Sequence, residues 1–439
     1  MTPERLGLLW GITVFAGATA QALAWATGLP GVVLLLSAGL LIGRAGLGLV
    51  EPLDLGNGLE TIVGLLVSLV LFDGGLNLRL PADGTRQAVL RIAGVRLVLA
   101  LLGGLVVAHG LAGLNWPLAA VFSAIVLATG PTVVNPLVRQ IGLAPPLGEV
   151  LEGEGLVLEP IGAVLALLLL ELVLGNLQGW RELAYGLLLR LGGGVLIGAA
   201  SGWLLSEALR RIPAVPTTGA LRLQLTLGTL FLMFTGCEQL LAESGLPAAV
   251  AAGVVVGRRP ETDAAELDAL IRQLAQLAIT MLFPLLAADV SFAQLSPLGW
   301  GGVACVLSLM LLVRPLAIGL ATWGMGFTLP QQALLSWLAP RGIVTAAVAS
   351  LFAIRLEQAG VVGAGRLQGL VFLTILLTVG LQGLSAGPIA QRLGLVLVDG
   401  EEPRRNLGEP APSGADASEA AADPGAIVAA AVEQQPGGQ

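Results

Sequence analysis

The first 395 residues are dominated by apolar stretches about as long as a lipid bilayer is thick. A hydrocarbon core of about 30 Å needs roughly 20 helical residues to cross it. Read with that ruler, the chain contains thirteen candidate spans. They lie at approximately 7–27, 29–48, 57–77, 87–110, 115–137, 145–174, 184–207, 217–240, 244–257, 265–288, 299–326, 330–355 and 365–389, the ninth being short. The fold class this dictates is an all-α polytopic membrane protein, with the lipid bilayer as its solvent. The first span ends in Ala20-Gln21-Ala22-Leu23-Ala24, which looks like a signal-peptide cleavage region. Its head pairs Glu4 with Arg5 and has no net positive charge, so it reads as a retained helix.

Composition narrows the chemistry. Charged residues make up 12% of the chain, against about 25% in soluble domains. All 22 basic residues are Arg, which removes Lys Schiff bases and phosphate-loop lysines. A single histidine, His109, provides no histidine metal cluster and argues against a Ser-His-Asp centre. Cys237 and Cys305 both fall in apolar stretches, so neither a disulfide framework nor a zinc ribbon is expected. Most of the net charge of −7 comes from an Ala-, Pro- and Gly-rich tail over 396–439, which has too little apolar surface to fold. The membrane body is near neutral, and nothing points to nucleic acid.

Arginines in the short loops set the orientation. Arg79, Arg86, Arg91, Arg139, Arg210, Arg211, Arg258, Arg259 and Arg392 fall on one side, against Arg5, Arg44, Arg181, Arg355 and Arg366 on the other. That bias places the amino terminus outside and the tail in the cytoplasm. A faint repeat relates Leu71-Phe72-Asp73 to Leu282-Phe283-Pro284, and Pro131 to Pro340, at offsets of 211 and 209. Each pair is seven spans apart, so the copies run in opposite directions. Inverted repeats with broken helices at the midplane are a transporter signature.

Ionisable groups deep in a span cost several kcal/mol and mark function by default. Span 6 carries Glu149, Glu152, Glu154 and Glu159, with Glu171 near its far end. Glu159 falls at the middle of the span, where desolvation favours the neutral acid. A carboxyl so placed holds either a proton or a small cation; the alternative is a permanently protonated structural acid. Pro160 beside it lacks an N–H and leaves the Leu156 carbonyl free. In span 5, Thr129-Gly130-Pro131 invites local unwinding that presents Thr129 oxygens as ligands, a simple proline kink being the other reading. Arg341, after Pro340 in span 12, needs a buried acid. Glu154 is the first choice and Glu152 the second. Glu154 and Glu159 point about 140° apart on an ideal helix, so one can be structural while the other binds. Arg314 is deep in its span and has no assignable partner. Asp73, followed by Gly74-Gly75, is either a second carboxylate at the cytoplasmic mouth or a solvated acid at a helix end. Glu171, Glu238, Asp289, Arg91 and Arg96 read as interfacial, and His109 as a boundary residue.

The blocks LFDGGLNL (71–78), ATGPTVVNPLVRQIGL (128–143), LEGEGLVLEPIGAVLA (151–166), ESGLPAAVAAGVVVG (243–257), LAPRGIVTAAVASLFA (338–353) and LTVGLQGLSAGPIAQRLGL (377–395) resemble the monovalent cation:proton antiporter superfamily in its NhaP-like branch. The resemblance implies a homodimer of thirteen-span protomers with inverted repeats and two unwound crossing helices, here spans 5 and 12. It implies a core domain of spans 4–6 and 11–13 that moves against a dimerisation domain of the remaining spans. The activity implied is electroneutral exchange of sodium, lithium or potassium for protons, with no organic cofactor. It places the ion- and proton-binding acid on Glu159, oxygen ligands on Thr129 and Asp73, a structural ion pair on Glu154 and Arg341, and helix breaks at Gly130, Pro131, Pro160 and Pro340. The chain departs from that pattern at Leu158-Glu159, where many relatives have Asn-Asp. It departs again at Gly130, where many have Asp, and at Gly155, where serine is frequent. Rival readings are potassium- or anion-coupled exchange on the same fold, and a membrane sensor that no longer transports. An intramembrane enzyme is disfavoured, since no HExxH or GxGD motif is present.

Overall fold

The computed structural model describes residues 3–78, 83–177, 179–212, 219–258 and 265–397. Arg79, Arg259 and nearly all of the acidic tail lie outside the described residues. Among the described residues every named element is a helix: α1 (Pro3–Thr27), α2 (Gly31–Ile42), α3 (Asn57–Leu76), α4 (Asp83–Gly110), α5 (Trp116–Ile125), α6 (Pro131–Ile141), α7 (Leu147–Val173), α8 (Trp180–Arg210), α9 (Gly219–Leu240) and α10 (Gly245–Gly257). There follow α11 (Ala265–Ala287), α12 (Phe292–Leu295), α13 (Gly299–Ser308), α14 (Arg314–Thr322), α15 (Leu329–Trp337), α16 (Ile343–Gln358), α17 (Ala364–Leu377) and α18 (Gly383–Arg392). Among the described residues, nine helical segments are long and apolar enough to cross a membrane. α13 and α14 run on through a π-helical turn at Leu309–Val313, and α17 and α18 through another at Thr378–Gln382.

Local sequence explains where helices start and stop. Asn115 caps α5, its side chain accepting from the Leu118 N–H at 2.9 Å, and Thr328 and Gln331 form a capping box on α15. The apolar stretches 115–137 and 330–355 are each interrupted: residues 126–130 and 338–342 are not helical. Pro131 and Pro340 sit in or beside these gaps. By contrast Pro160 lies inside an unbroken α7. Span 2 is shorter than its apolar run, because α2 ends at Ile42 and the chain turns back through Gly43–Gly48. Val396 and Leu397, read from sequence as tail, pair with the α6–α7 connection. The Leu397 N–H donates to the Gly142 carbonyl at 2.8 Å, and the Ala144 N–H to that of Leu395 at 2.9 Å.

Small residues set the closest packing, as expected where helices meet in lipid. α10 lies between α8 and α3. A Cβ at Gly198 of α8 would stand 2.2 Å from the Ala248 carbonyl oxygen, and one at Gly253 of α10 would stand 2.3 Å from that of Phe72. Both contacts are with backbone, which cannot swing away. Gly198→Ala is therefore expected to destabilise by about 1–3 kcal/mol, read as a lower thermal midpoint in detergent. The same substitution at Gly192, which faces open space, should leave the midpoint unchanged.

Candidate functional site

The two helix interruptions meet: the Gly130 N–H donates to the Pro340 carbonyl at 3.2 Å. Each gap frees carbonyls that water would satisfy at the surface but that here must find donors within the protein. Three buried guanidiniums supply them. Arg96 Nη2 donates to the Leu127 carbonyl at 2.8 Å, and Arg341 Nη1 to that of Ala128 at 3.0 Å. Arg314 donates through Nη2 to the carbonyls of Leu335 and Leu338 at 2.9 and 3.0 Å. These carbonyls lie at and just beyond the carboxyl ends of α5 and α15, where the helix dipole also favours a cation. The second gap receives side-chain support from the neighbouring π-turn. Gln382 accepts from the Ala339 N–H at 3.0 Å, and the Thr378 hydroxyl from that of Arg341 at 3.3 Å.

Glu154 is the buried counter-charge, and its partners differ from those expected. It pairs with Arg96 and with Arg314, the latter in a two-pronged contact that includes Nη2–Oε2 at 3.0 Å. The expected Glu154–Arg341 pair is not formed. Arg341 spends its guanidinium on the α5–α6 gap, and its Nε receives no partner. Arg314 thus acquires the partner that the sequence did not assign. Arg96, read as interfacial, is buried at 2% exposure. α4 runs from Asp83 to Gly110, and Arg96 falls near its middle, as it does within the apolar run 87–110. Its depth within that run was the signal that would have found it.

Glu159 is fully buried, and neither carboxyl oxygen receives a hydrogen bond from the protein. Gly155 and Gly162 lie four residues before it and three after, on the same face of α7. Their missing side chains let this face close on the first gap. A Cβ at Gly155 would sit 3.0 Å from the Thr129 carbonyl, and one at Gly162 would sit 3.2 Å from that of Ala124. The Thr129 hydroxyl accepts from Arg96 at 3.0 Å. Asp73 is buried near the end of α3 and accepts from Asn77 Nδ2 at 2.9 Å, which removes the solvated-acid reading. It has no direct contact with Glu159. Gly74, next in sequence, abuts Leu156 of α7, one turn away.

A cavity of about 650 Å³ opens where α3 and α10 begin and α9 ends. Glu60, Glu238 and Glu243 are among its lining residues, and its wall runs along α16 from Ile354 to Val344, beside the second gap. Glu159 is not among its lining residues. Glu238 accepts from the N–H groups of Glu243 and Gly245, both at 2.8 Å, and so caps α10. Burial and the acids Glu238 and Glu60 raise the Glu243 carboxyl above its ordinary range. His109 is a structural residue, stacked on Trp116 with its Nδ1 2.8 Å from the Leu114 carbonyl.

Known proteins resemble this chain in sequence and in fold. Over 351 residues the chain is 25% identical to the Na(+)/H(+) antiporter NhaH of Halobacillus dabanensis, covering 76% of this chain and 84% of that one. It is 25% identical over 372 residues to the K(+)/H(+) antiporter NhaP2 of Shewanella sp. (strain MR-4), covering 82% of this chain and 62% of the relative. Its fold matches the sodium proton antiporter MjNhaP1 of Methanocaldococcus jannaschii at pH 8 with a TM-score of 0.77 and 23% identity, over 89% of this chain and 98% of that one. The transmembrane profile of the sodium/hydrogen exchanger family matches residues 11–392, and the chain belongs to that family.

Proposed function

We propose that this protein exchanges a monovalent cation for a proton across a bacterial cytoplasmic membrane, by alternating access at Glu159. The observation that carries the proposal is a fully buried carboxyl, given no hydrogen bond by the protein, packed beside interrupted helices. Left charged and bare, such a group is costly. A proton or a dehydrated cation relieves that cost, and one carboxylate accepts one or the other. Swapping one for one moves no net charge, so the cycle is electroneutral. Thr129, Asp73 and the backbone at Gly130 and Pro131 offer further oxygens. Glu154, Arg96, Arg314 and Arg341 hold the two gaps in shape. The exchange forms and breaks no covalent bond and calls for no organic cofactor.

The proposed architecture is a homodimer of thirteen-span protomers in inverted repeat, the two interrupted helices crossing. The amino terminus lies outside, and the tail in the cytoplasm. A core built on α4–α7 and α13–α18 moves against the remaining helices. Sodium is the first candidate and lithium follows it. Potassium is the second reading, favoured by the NhaP2 relatives that match 82% of the chain. Purified protein in proteoliposomes, given outward gradients of sodium, lithium or potassium, should acidify the lumen at a rate unaffected by clamping the membrane potential. A proton flux indifferent to every cation would end the proposal.

A further inference from the structure

Away from Glu159, the buried acid Asp289 ties together the helices that form one wall of the cavity. Asp289 follows α11 and is 2% exposed, although the sequence reading placed it at an interface with water. Its Oδ2 accepts from the Ser350 hydroxyl of α16 at 2.7 Å and from Gln368 Nε2 of α17 at 3.2 Å. Gln368 is held in turn by Gln294 of α12 at 2.7 Å. On the opposite side, Arg44 stands 3.6 Å from Oδ1, and its own N–H donates to the Ala288 carbonyl at 3.0 Å. Arg44 follows α2, and α2 packs with α1 on α11, while α16 packs on α17. The carboxylate therefore bridges the α2–α11 wall and the α16–α17 pair.

Its position relative to the cavity gives the bridge a consequence. Ser350 lines the cavity on the α16 side, and Leu286 lines it on the α11 side. The opposite wall is α3, α9 and the start of α10. α16 packs on α3 as well as on α11, so holding it against α11 limits how far its cavity-lining stretch closes on that opposite wall. Resting on the alternating-access reading above, we propose that Asp289 is a positioning residue for the exchange cycle. By accepting from Ser350 and Gln368 it holds the α16–α17 pair where the cavity stays open, and it must release them before the cavity closes. A buried charged acceptor suits this role, because its hydrogen bonds are stronger than neutral ones yet reversible when both donors leave together.

The test reads conformation without needing transport. In the full chain carrying Cys237→Ala and Cys305→Ala, Ala347→Cys places a thiol on the cavity wall, and Val362→Cys places one in an exposed loop as control. Reaction with a cationic methanethiosulfonate is followed in detergent, with thermal unfolding measured alongside. Asp289→Asn removes the charge, and Ser350→Ala removes the cavity-side bond to Asp289, together with the one that the Ser350 hydroxyl accepts from Gln368 at 3.3 Å, while leaving the carboxylate in place. Each is expected to slow labelling at residue 347 about threefold or more, leaving residue 362 unchanged. A merely structural role would instead lower the thermal midpoint and speed labelling at 347. Wild-type or faster labelling at 347 in Ser350→Ala, or in a folded Asp289→Asn, overturns the proposal. Absence of flux in the parent protein would count against exchange and leave the labelling result standing.

Discussion

Glu159→Gln should abolish cation-dependent proton movement in everted vesicles, with a loss of at least about a hundredfold, while the protein still folds. The amide matches the carboxyl in size, so packing between Gly155 and Gly162 is kept. It neither releases a proton nor offers a full negative charge to a cation, and both halves of the cycle fail together. Stability should change little. The buried carboxyl receives no hydrogen bond from the protein, so no donor is orphaned by the change. The amide N–H groups add a desolvation cost of about 1–3 kcal/mol, set against the desolvation cost of the acid that is removed. Glu159→Asp separates chemistry from shape, because it keeps the titrating group and withdraws it by one methylene. It should retain exchange with an altered apparent ion affinity. Cation-driven pH changes of normal size in Glu159→Gln would remove this residue from the mechanism.

Much of this was legible in the sequence because the bilayer enforces a simple ruler. The 20-residue apolar runs gave the helices, and Gly130-Pro131 and Pro340 fell where two of them break. Glu159 stood out because an acid at mid-span is costly to keep there. The electrostatics were less legible, for a physical reason. A guanidinium reaches about 6–7 Å along a flexible stem, so several arginines compete for one carboxylate, and helix spacing does not say which one wins. Arg341 had the right depth, yet backbone carbonyls freed by the α5–α6 gap claimed it. Such carbonyls are invisible in a sequence until the break itself is located. Asp289 was misread for a related reason. It follows the end of a span, and only the folding of α16 and α17 over it removes it from water.

Glu154→Gln should be the most damaging single change to folding, and it separates the observed pairing from the expected one. Arg96, Arg314 and Arg341 are 2%, 4% and 7% exposed, and Glu154 is the only acid paired with any of them among the described residues. Removing one partner of a buried ion pair typically costs about 3–5 kcal/mol, because the survivor stays charged and desolvated. Two guanidiniums lose their counter-ion here, so the cost lies at the upper end, a large share of a stability that is about 5–15 kcal/mol for ordinary domains. Yield and thermal midpoint in detergent should fall sharply. Arg341→Ala removes a cation that has no ion pair, so it should cost less than Arg314→Ala, which leaves Glu154 with one partner and the Leu335 and Leu338 carbonyls without donors. The double change Glu154→Gln with Arg314→Gln removes opposite charges together and should recover part of the loss of Glu154→Gln alone, a coupling that contacting residues show and distant ones do not. If Arg341→Ala instead proves as harmful as Glu154→Gln while Arg314→Ala is tolerated, the buried carboxylate belongs to Arg341, and the gap between α5 and α6 is held by something else.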